Sequence, residues 1–187
     1  MAFSASSSLA TLPPFRVEPR FDVRVWGFMD LRPWYDKVAD RDPLGEVWLT
    51  GDECVVATGP CAGKKLASVY AEQPRIMLGK ASPDNASPLL IKVILAREKL
   101  SVQVHPDDRM AQKYGDPRGK TECWYVLAAD PGAQVAAGLN PGVTLKQIRD
   151  EIQAGNLEQS LQRVDVAAGD LVFEAATPTI KLTLAKR

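Results

Sequence analysis

Short apolar runs separated by turns dominate the pattern of the chain, and they predict mostly β-structure. Residues Gly45–Leu49 predict a strand that ends before a turn at Gly51-Asp52. Residues Cys123–Ala128 and Ala133–Leu139 predict two more strands, joined by the turn Asp130-Pro131-Gly132. Further short strands are predicted at residues 54–58, 164–166, 170–173 and 180–184.

Two stretches follow a different pattern. Pro88–Leu95 is a nearly continuous apolar run of strand length, which predicts a strand buried on both faces apart from Lys92. Leu12–Gly27 is rich in proline at its start and predicts an extended arm laid on the body of the fold.

Helical periodicity is confined to a few short segments. Lys64–Glu72 predicts a helix that places Leu66, Val69 and Tyr70 on one face. Asp107 and Asp108 can cap a short helix that reaches Tyr114. A capping box at Thr144–Gln147 predicts a longer helix that ends at Gly155, with a buried stripe formed by Leu145, Ile148 and Ile152. One more helical turn is predicted over residues 157–161. Many short strands with a few outer helices predict a β-barrel or a β-sandwich.

Length and composition narrow the class of protein. The 187 residues are predicted to form one domain over residues 15–187, preceded by a disordered leader at residues 1–14 that is rich in serine and alanine. Lysine plus arginine equals aspartate plus glutamate at 23 each, so there is no basic excess for nucleic-acid binding. No apolar run approaches the roughly 18 residues that span a bilayer. Three cysteines without a C-x-x-C pair favour a reducing cytoplasm. The oligomeric state is left open.

Candidate chemistry concentrates around the single histidine of the chain. Ser101, Gln103 and His105 alternate with valines in a predicted strand, so their side chains are expected on one face. Lys120 and Glu122 keep the same two-residue spacing at the start of the next predicted strand. If the two strands are neighbours, an imidazole, an amide oxygen, a carboxylate and an ammonium converge. That combination is typical of a metal site with a charged group beside it.

The residue types alone leave other interpretations open. A lone histidine in a strand is more often a hydrogen-bonded core residue than a metal ligand, and Lys120 with Glu122 could be a surface ion pair. Zinc usually takes four ligands, so His105 and Glu122 with the neutral amide of Gln103 form a sparse set.

Several long segments resemble one enzyme family. The central segments are Pro88–Lys92, Leu100–Asp108 and Gly119–Leu127, and the flanking ones are Trp26-Gly27, Gly45–Leu49, Pro141–Thr144 and Ala168–Phe173. Together they resemble type I mannose-6-phosphate isomerases, which are zinc enzymes of the cupin superfamily. The resemblance runs from about Val23 to Phe173. It implies a cupin-like jelly-roll β-barrel and a small phosphorylated sugar as substrate.

The resemblance also implies roles for individual residues. Gln103, His105 and Glu122 are expected to be ligands of Zn2+, and Ser101 and Lys120 are expected to lie close to the substrate. The implied reaction interconverts mannose 6-phosphate and fructose 6-phosphate through a cis-enediol. Zinc would polarise the sugar oxygens, and Lys120 would add positive charge or help to move protons.

The chain departs from the family pattern after Phe173. The family's Pro-Ala-Gly-Thr-x-His-Ala segment, whose histidine completes the zinc site, falls on residues 174–180, with the histidine position at Thr179 or Ile180. Family members also continue with more strands and a catalytic arginine. The domain is therefore expected to be incomplete at its C-terminus, as a truncated chain or a short natural variant, with impaired or absent activity.

Three alternative hypotheses follow from this departure. The chain could be a non-catalytic cupin-like module that binds a sugar phosphate or a partner protein, or a structural fragment without a role of its own. Another metal chemistry in the same fold, such as oxygenation, is disfavoured only by the sequence context of Gln103, His105 and Glu122.

Overall fold

The structure, a computed structural model, describes residues 11–79, 87, 89–174 and 183–186. It divides into two compact units. The first comprises Met1–Val25 and Met29–Leu95, and the second comprises Trp26–Phe28 and Ala96–Arg187. No helix in the described part of the chain combines the length and the apolar character needed to cross a bilayer.

A three-stranded sheet and two short helices build the first unit. The strands are β1 (Arg20–Phe28), β2 (Leu44–Trp48) and β3 (Lys92–Ile94), in the order β1-β2-β3, and the helices are α1 (Leu66–Glu72) and α2 (Pro74–Met77). Strands β2 and β3 are antiparallel, with Val47 opposite Val93. The last three residues of β1 belong to the second unit.

The core of the first unit lies against α1. Its buried members are Cys54, Val56, Cys61, Leu66, Val69 and Tyr70. The predicted face of α1 is therefore confirmed. Phe15 and Val17 pack against this core, and Val17 bridges to Val56, so the extended arm lies on the body as predicted.

One predicted strand of this unit is wrong, and another, over Pro88–Leu95, forms only at Lys92–Ile94. Residues 54–58 form only isolated bridges, from Val55 to Lys65 and from Val56 to Val17. The apolar run before Lys92 is not buried, since Leu89, Leu90 and Ile91 are 67%, 47% and 53% exposed. The reason is that the ladder with β2 begins only at Lys92.

In its described residues, and besides the end of β1, the second unit contains five strands, two helices and a 3-10 turn. They are α3 (Asp108–Lys113), β4 (Glu122–Tyr125), β5 (Gln134–Leu139), α4 (Leu145–Ala154), the 3-10 turn Leu157–Ser160, β6 (Leu161–Asp165), β7 (Leu171–Glu174) and β8 (Thr183–Lys186). One antiparallel sheet has the order β6-β5-β8, and β4 pairs with β7 in a two-stranded antiparallel ribbon. Ala136 and Leu161 are the buried centre of one core, with Val102 packed against them.

Helix α4 shows both the strength and the limit of the sequence pattern. Its N-cap forms, because Thr144 Oγ1 accepts a hydrogen bond from the Gln147 amide at 3.2 Å, while the Gln147 side chain donates to Glu151 and Ser160. Its end is also as predicted, since Gly155 adopts the left-handed conformation. The predicted buried stripe is wrong, however. Ile148 is buried, but Leu145 and Ile152 are 66% and 58% exposed, because the helix meets the 3-10 turn through its middle turn, where Gln147 reaches Ser160.

The β4–β7 ribbon has two different faces. Glu122 and Trp124 are half-buried on its inner face. Its outer face carries Cys123 opposite Phe173 and Tyr125 opposite Leu171, and all four side chains are exposed. The period of two residues therefore separates a polar face from an apolar one on the same short strand.

A buried carboxylate ties the strands of the first unit together. Glu46 is 5% exposed, and its oxygens lie 2.8 Å from Arg24 Nη2 and 2.9 Å from Lys92 Nζ. Trp48 Nε1 donates a further hydrogen bond to Glu46 Oε2 at 2.9 Å. Burial alone would raise the pKa of the Glu46 carboxyl, but these hydrogen bonds and positive charges outweigh it and lower the pKa.

We predict that Glu46→Ala lowers the free energy of unfolding by about 3 kcal/mol, because it removes the carboxylate that pairs with the half-buried Lys92 and the nearer of the two carboxylates, Glu46 and Asp22, that pair with Arg24. Urea unfolding followed by tryptophan fluorescence measures the change. Glu53→Ala is the control, because it removes an exposed pair with Lys65 and should leave stability nearly unchanged. Equal stabilities for the two variants would contradict a role of the Glu46 network in holding the sheet.

Candidate functional site

The five candidate residues lie together in the second unit. Gln103 Nε2 donates to Ser101 Oγ at 3.2 Å, and Lys120 Nζ donates to Gln103 Oε1 at 3.3 Å. The same ammonium is 2.8 Å from Glu122 Oε1, and Glu122 Oε2 is 2.8 Å from His105 Nε2. We call this group the site cluster; its members are Ser101, Gln103, His105, Lys120 and Glu122.

The backbone that carries the first three residues differs from the prediction. Residues 101–107 are extended but form no strand. Pro106 has no N–H to donate to a ladder, and Asp107 already caps α3. The predicted alternation of faces is lost, since Val102 packs against the Ala136–Leu161 core while Val104, predicted on the same face, is 52% exposed.

The second half of the cluster is positioned by the β4–β7 ribbon. Glu122 is the first residue of β4, and it shares the inner face with Trp124. Trp124 Nε1 donates to Glu122 Oε2 at 3.1 Å. The indole therefore fixes the carboxylate on the same oxygen that contacts His105.

His105 is buried without a complete set of hydrogen bonds. Its side chain is only 2% exposed, and neither ring nitrogen makes a hydrogen bond. Nε2 touches Glu122 Oε2 at 2.8 Å, but without the angle of a hydrogen bond. A buried polar atom left unpaired is costly, and such atoms frequently mark a ligand site. The imidazole is thus free to share a cation with the carboxylate.

The charge state of Glu122 follows from its neighbours. Burial would raise the pKa of this carboxyl, but the contacts with His105 and Lys120 outweigh burial and lower the pKa to about 2. Glu122 is therefore a carboxylate at neutral pH. The Lys120 side chain beside it is 47% exposed and reaches the open side of the cluster.

The donor atoms of the cluster fit a divalent cation such as zinc. Zinc accepts imidazole nitrogen and carboxylate oxygen, which His105 and Glu122 provide in contact with each other. Within the described residues no three His, Cys, Asp or Glu side chains gather in a metal-binding group. The amide oxygen of Gln103 would be the third donor, and three such donors bind more weakly than four. The family's histidine position, Thr179 or Ile180, lies outside the described residues.

Sequence reasoning missed the structural partners of the cluster. The hydrogen bond from Trp124 to Glu122 is one, although the two-residue spacing on a strand was an available signal. Sequence reasoning also missed the charged network around Glu46 in the first unit. Its signal was a carboxylate inside the otherwise apolar strand Gly45–Leu49.

We predict that the ionised Glu122 carboxylate raises the free energy of unfolding of chelator-treated protein. This contribution is present above the pKa of Glu122 in the unfolded chain and is lost as the pH falls toward its pKa in the folded chain. The folded pKa is the lower one, so the wild type should lose about 2 kcal/mol relative to Glu122→Gln between pH 6 and pH 3. Urea unfolding across this range measures the difference. Asp150→Asn, which changes an exposed pair with Lys146, is the control. Parallel pH profiles for wild type and Glu122→Gln would show that the carboxyl has an ordinary pKa.

Comparison with known proteins assigns the family. The family model of the phosphomannose isomerase type I catalytic domain matches residues 15–148. The mannose-6-phosphate isomerase of Streptococcus mutans is 34% identical over 164 residues, which are 86% of this chain and 51% of that protein. Mannose-6-phosphate isomerase ManA of Bacillus subtilis is 32% identical, over 87% of this chain and 52% of its own length. The chain thus spans about half the length of these curated relatives.

Solved structures agree with this assignment. The mannose 6-phosphate isomerase from Bacillus subtilis superposes with a TM-score of 0.77 at 27% identity, over 92% of this chain and 57% of the other. A phosphomannose isomerase from Salmonella typhimurium, at 14% identity and a TM-score of 0.64 over 92% of this chain and 65% of the other, shares the fold. The predicted mainly β, cupin-like fold class is confirmed. The chain belongs to the family of type I phosphomannose isomerase catalytic domains.

Proposed function

We propose that this chain is a zinc-dependent aldose–ketose isomerase that interconverts mannose 6-phosphate and fructose 6-phosphate. The observation that supports the proposal is the contact between the unpaired His105 imidazole and the ionised Glu122 carboxylate. It lies within a chain whose relatives are named mannose-6-phosphate isomerases.

His105, Glu122 and Gln103 would hold the zinc ion. Bound there, zinc would supply a Lewis acid that polarises sugar oxygens and stabilises negative charge on them. The two oxygens of Glu122 have separate partners, since Oε1 contacts Lys120 and Oε2 contacts His105. Oε2 is therefore the natural donor toward the metal, while Lys120 holds Oε1.

Lys120 is the residue of the cluster best placed to act on the substrate. Moving a proton between C1 and C2 of the sugar creates negative charge on an adjacent oxygen, and it requires no net oxidation or reduction. The Lys120 ammonium is half exposed and anchored at 2.8 Å from Glu122, so it can offer positive charge to that oxygen without leaving its partner. Ser101, linked through Gln103, places a hydroxyl beside it for hydrogen bonding to the sugar.

The substrate class and the location are parts of the same proposal. A small phosphorylated sugar fits a chain without net charge, because it needs only a few local cations. The partners proposed from the sequence include neither nucleic acid nor membrane. A cytoplasmic location is supported by the three cysteines, all of which are free thiols.

A coupled assay for fructose 6-phosphate, with purified chain, mannose 6-phosphate and added zinc, tests the activity. Glu122→Ala should lower turnover by roughly 100-fold or more, because it removes a charged ligand rather than an outer neighbour. Cys123→Ser is the matched control, since the next residue of β4 lies on the outer face and should leave turnover unchanged. Zinc binding without turnover in the wild type would contradict the proposal and favour the non-catalytic cupin-like module.

A second prediction separates zinc binding by the cluster from the action of Lys120 on the substrate. Lys120→Met should lower kcat by roughly 100-fold, because it removes a charge that acts on the reacting oxygen. Zinc affinity should be kept or raised, because the variant removes a cation that competes for Glu122. Competition with a chromophoric chelator measures the affinity. A large loss of zinc affinity would show instead that Lys120 organises the ligands.

A further inference from the structure

Two backbone segments of the second unit are fastened together beside the site cluster. The Lys120 amide donates to the Pro106 carbonyl at 3.0 Å. The Gly119 amide donates to Asp108 Oδ1 at 2.8 Å. One segment follows His105 directly and the other leads into Glu122, so these two bonds join the pieces of chain that carry the imidazole and the carboxylate.

The two segments approach so closely that only glycine fits between them. A Cβ atom at Gly119 would lie 2.5 Å from the Pro106 oxygen and 2.7 Å from the Asp107 carbonyl carbon. These are backbone atoms, which cannot turn aside as a flexible side chain can. Gly119 does not have a positive φ, so the requirement is for space and not for an unusual backbone conformation.

The neighbouring aspartates do different things. Asp107 Oδ1 accepts from the Met110 amide at 2.8 Å and caps helix α3. Asp108 lies in the first turn of the same helix, but its carboxylate crosses to Gly119 instead. A hydrogen bond from an amide to a charged carboxylate is stronger than one between neutral groups. Asp108 thus makes a contact that α3 does not need.

We propose that Asp108 is a positioning residue for the metal site. By holding the Gly119 amide, its carboxylate keeps the segment before β4 against the segment after His105, and this sets the contact of His105 Nε2 with Glu122 Oε2. We call the two hydrogen bonds, from the Gly119 amide to Asp108 and from the Lys120 amide to Pro106, the clasp. Metal sites tolerate displacements of only a few tenths of an ångström, so loosening the clasp should weaken zinc binding. The inference rests on the proposed zinc site for its function, but the clasp itself can be tested without metal.

Zinc affinity, measured by chelator competition, gives the first readout. Asp108→Ala should weaken zinc binding by about 10-fold or more, as loss of a group that supports a ligand does. Asp108→Asn should restore affinity to within a few-fold of wild type, because its amide oxygen can also accept from Gly119. Asp107→Ala should lower the melting temperature through loss of the cap but leave zinc affinity unchanged.

The single histidine provides the second readout in metal-free protein. Its imidazole signals in a nitrogen-15 NMR spectrum belong to His105 alone. Gly119→Ala and Asp108→Ala should both displace these signals, and Asp108→Asn should leave them near their wild-type positions. Gly119→Ala presses directly on the backbone of Pro106, next to His105, so the displacement in Asp108→Ala and its reversal in Asp108→Asn are what report the clasp.

The two readouts distinguish this inference from the proposed function. If wild-type protein binds no zinc but the His105 signals respond as described, the metal proposal fails and the clasp stands. If wild-type protein binds zinc, but Asp108→Ala keeps its affinity or is not rescued by Asp108→Asn, the clasp is overturned. His105 signals that are unmoved by Gly119→Ala and Asp108→Ala would overturn it as well.

Discussion

The candidate site depends on one carboxylate that is largely withdrawn from water. Glu122 could not be ionised there without partners, because desolvation disfavours the charged form. Lys120 compensates for one oxygen, while Trp124 and His105 surround the other. The carboxylate is thereby kept negative next to an imidazole whose nitrogens are not hydrogen-bonded. A cation bound at this point could take one ligand atom from the carboxylate and one from the imidazole.

A comparison with Glu46 shows how one partner distinguishes Glu122 from a similar glutamate. Both belong to a Glu-x-Trp sequence on a strand, both accept from the indole two residues later, and both contact a lysine. The remaining partner differs. Glu46 has a second cation, Arg24, so its negative charge is fully compensated. Its ion pairs link neighbouring strands of the sheet. Glu122 has His105 instead, whose Nε2 lies 2.8 Å from Glu122 Oε2.

Local features of the fold could be predicted from the sequence. Which apolar side chains are buried by distant segments could not. The cap at Asp107, the N-cap at Thr144 and the buried face of α1 depend on neighbours within a few residues, and all of them form. The burial of Leu89 or Leu145 depends on segments far away in sequence, which apolar character does not reveal. The predicted strand over residues 101–105 failed for the same reason, since a ladder needs a partner.

The residues of the site were predicted because residue type, spacing and family resemblance pointed to the same five side chains. The roles assigned to them remain predictions. The clasp between Asp108 and Gly119 was out of reach, because ten intervening residues separate a carboxylate and an amide that meet only in the folded chain. An aspartate in the first turn of a helix is usually interpreted as a cap. The sequence therefore gives no sign that Asp108 bonds to Gly119 instead.

The outer face of the β4–β7 ribbon places Cys123 directly behind Glu122. This thiol is exposed, whereas Cys54 and Cys61 are buried, and burial raises the pKa of the Cys54 thiol and keeps it protonated. A maleimide dye would therefore attach selectively to the back of the strand whose front carries the carboxylate. Its fluorescence could follow events at the cluster in real time without occupying any part of it, so the native sequence already contains an attachment point for a sensor.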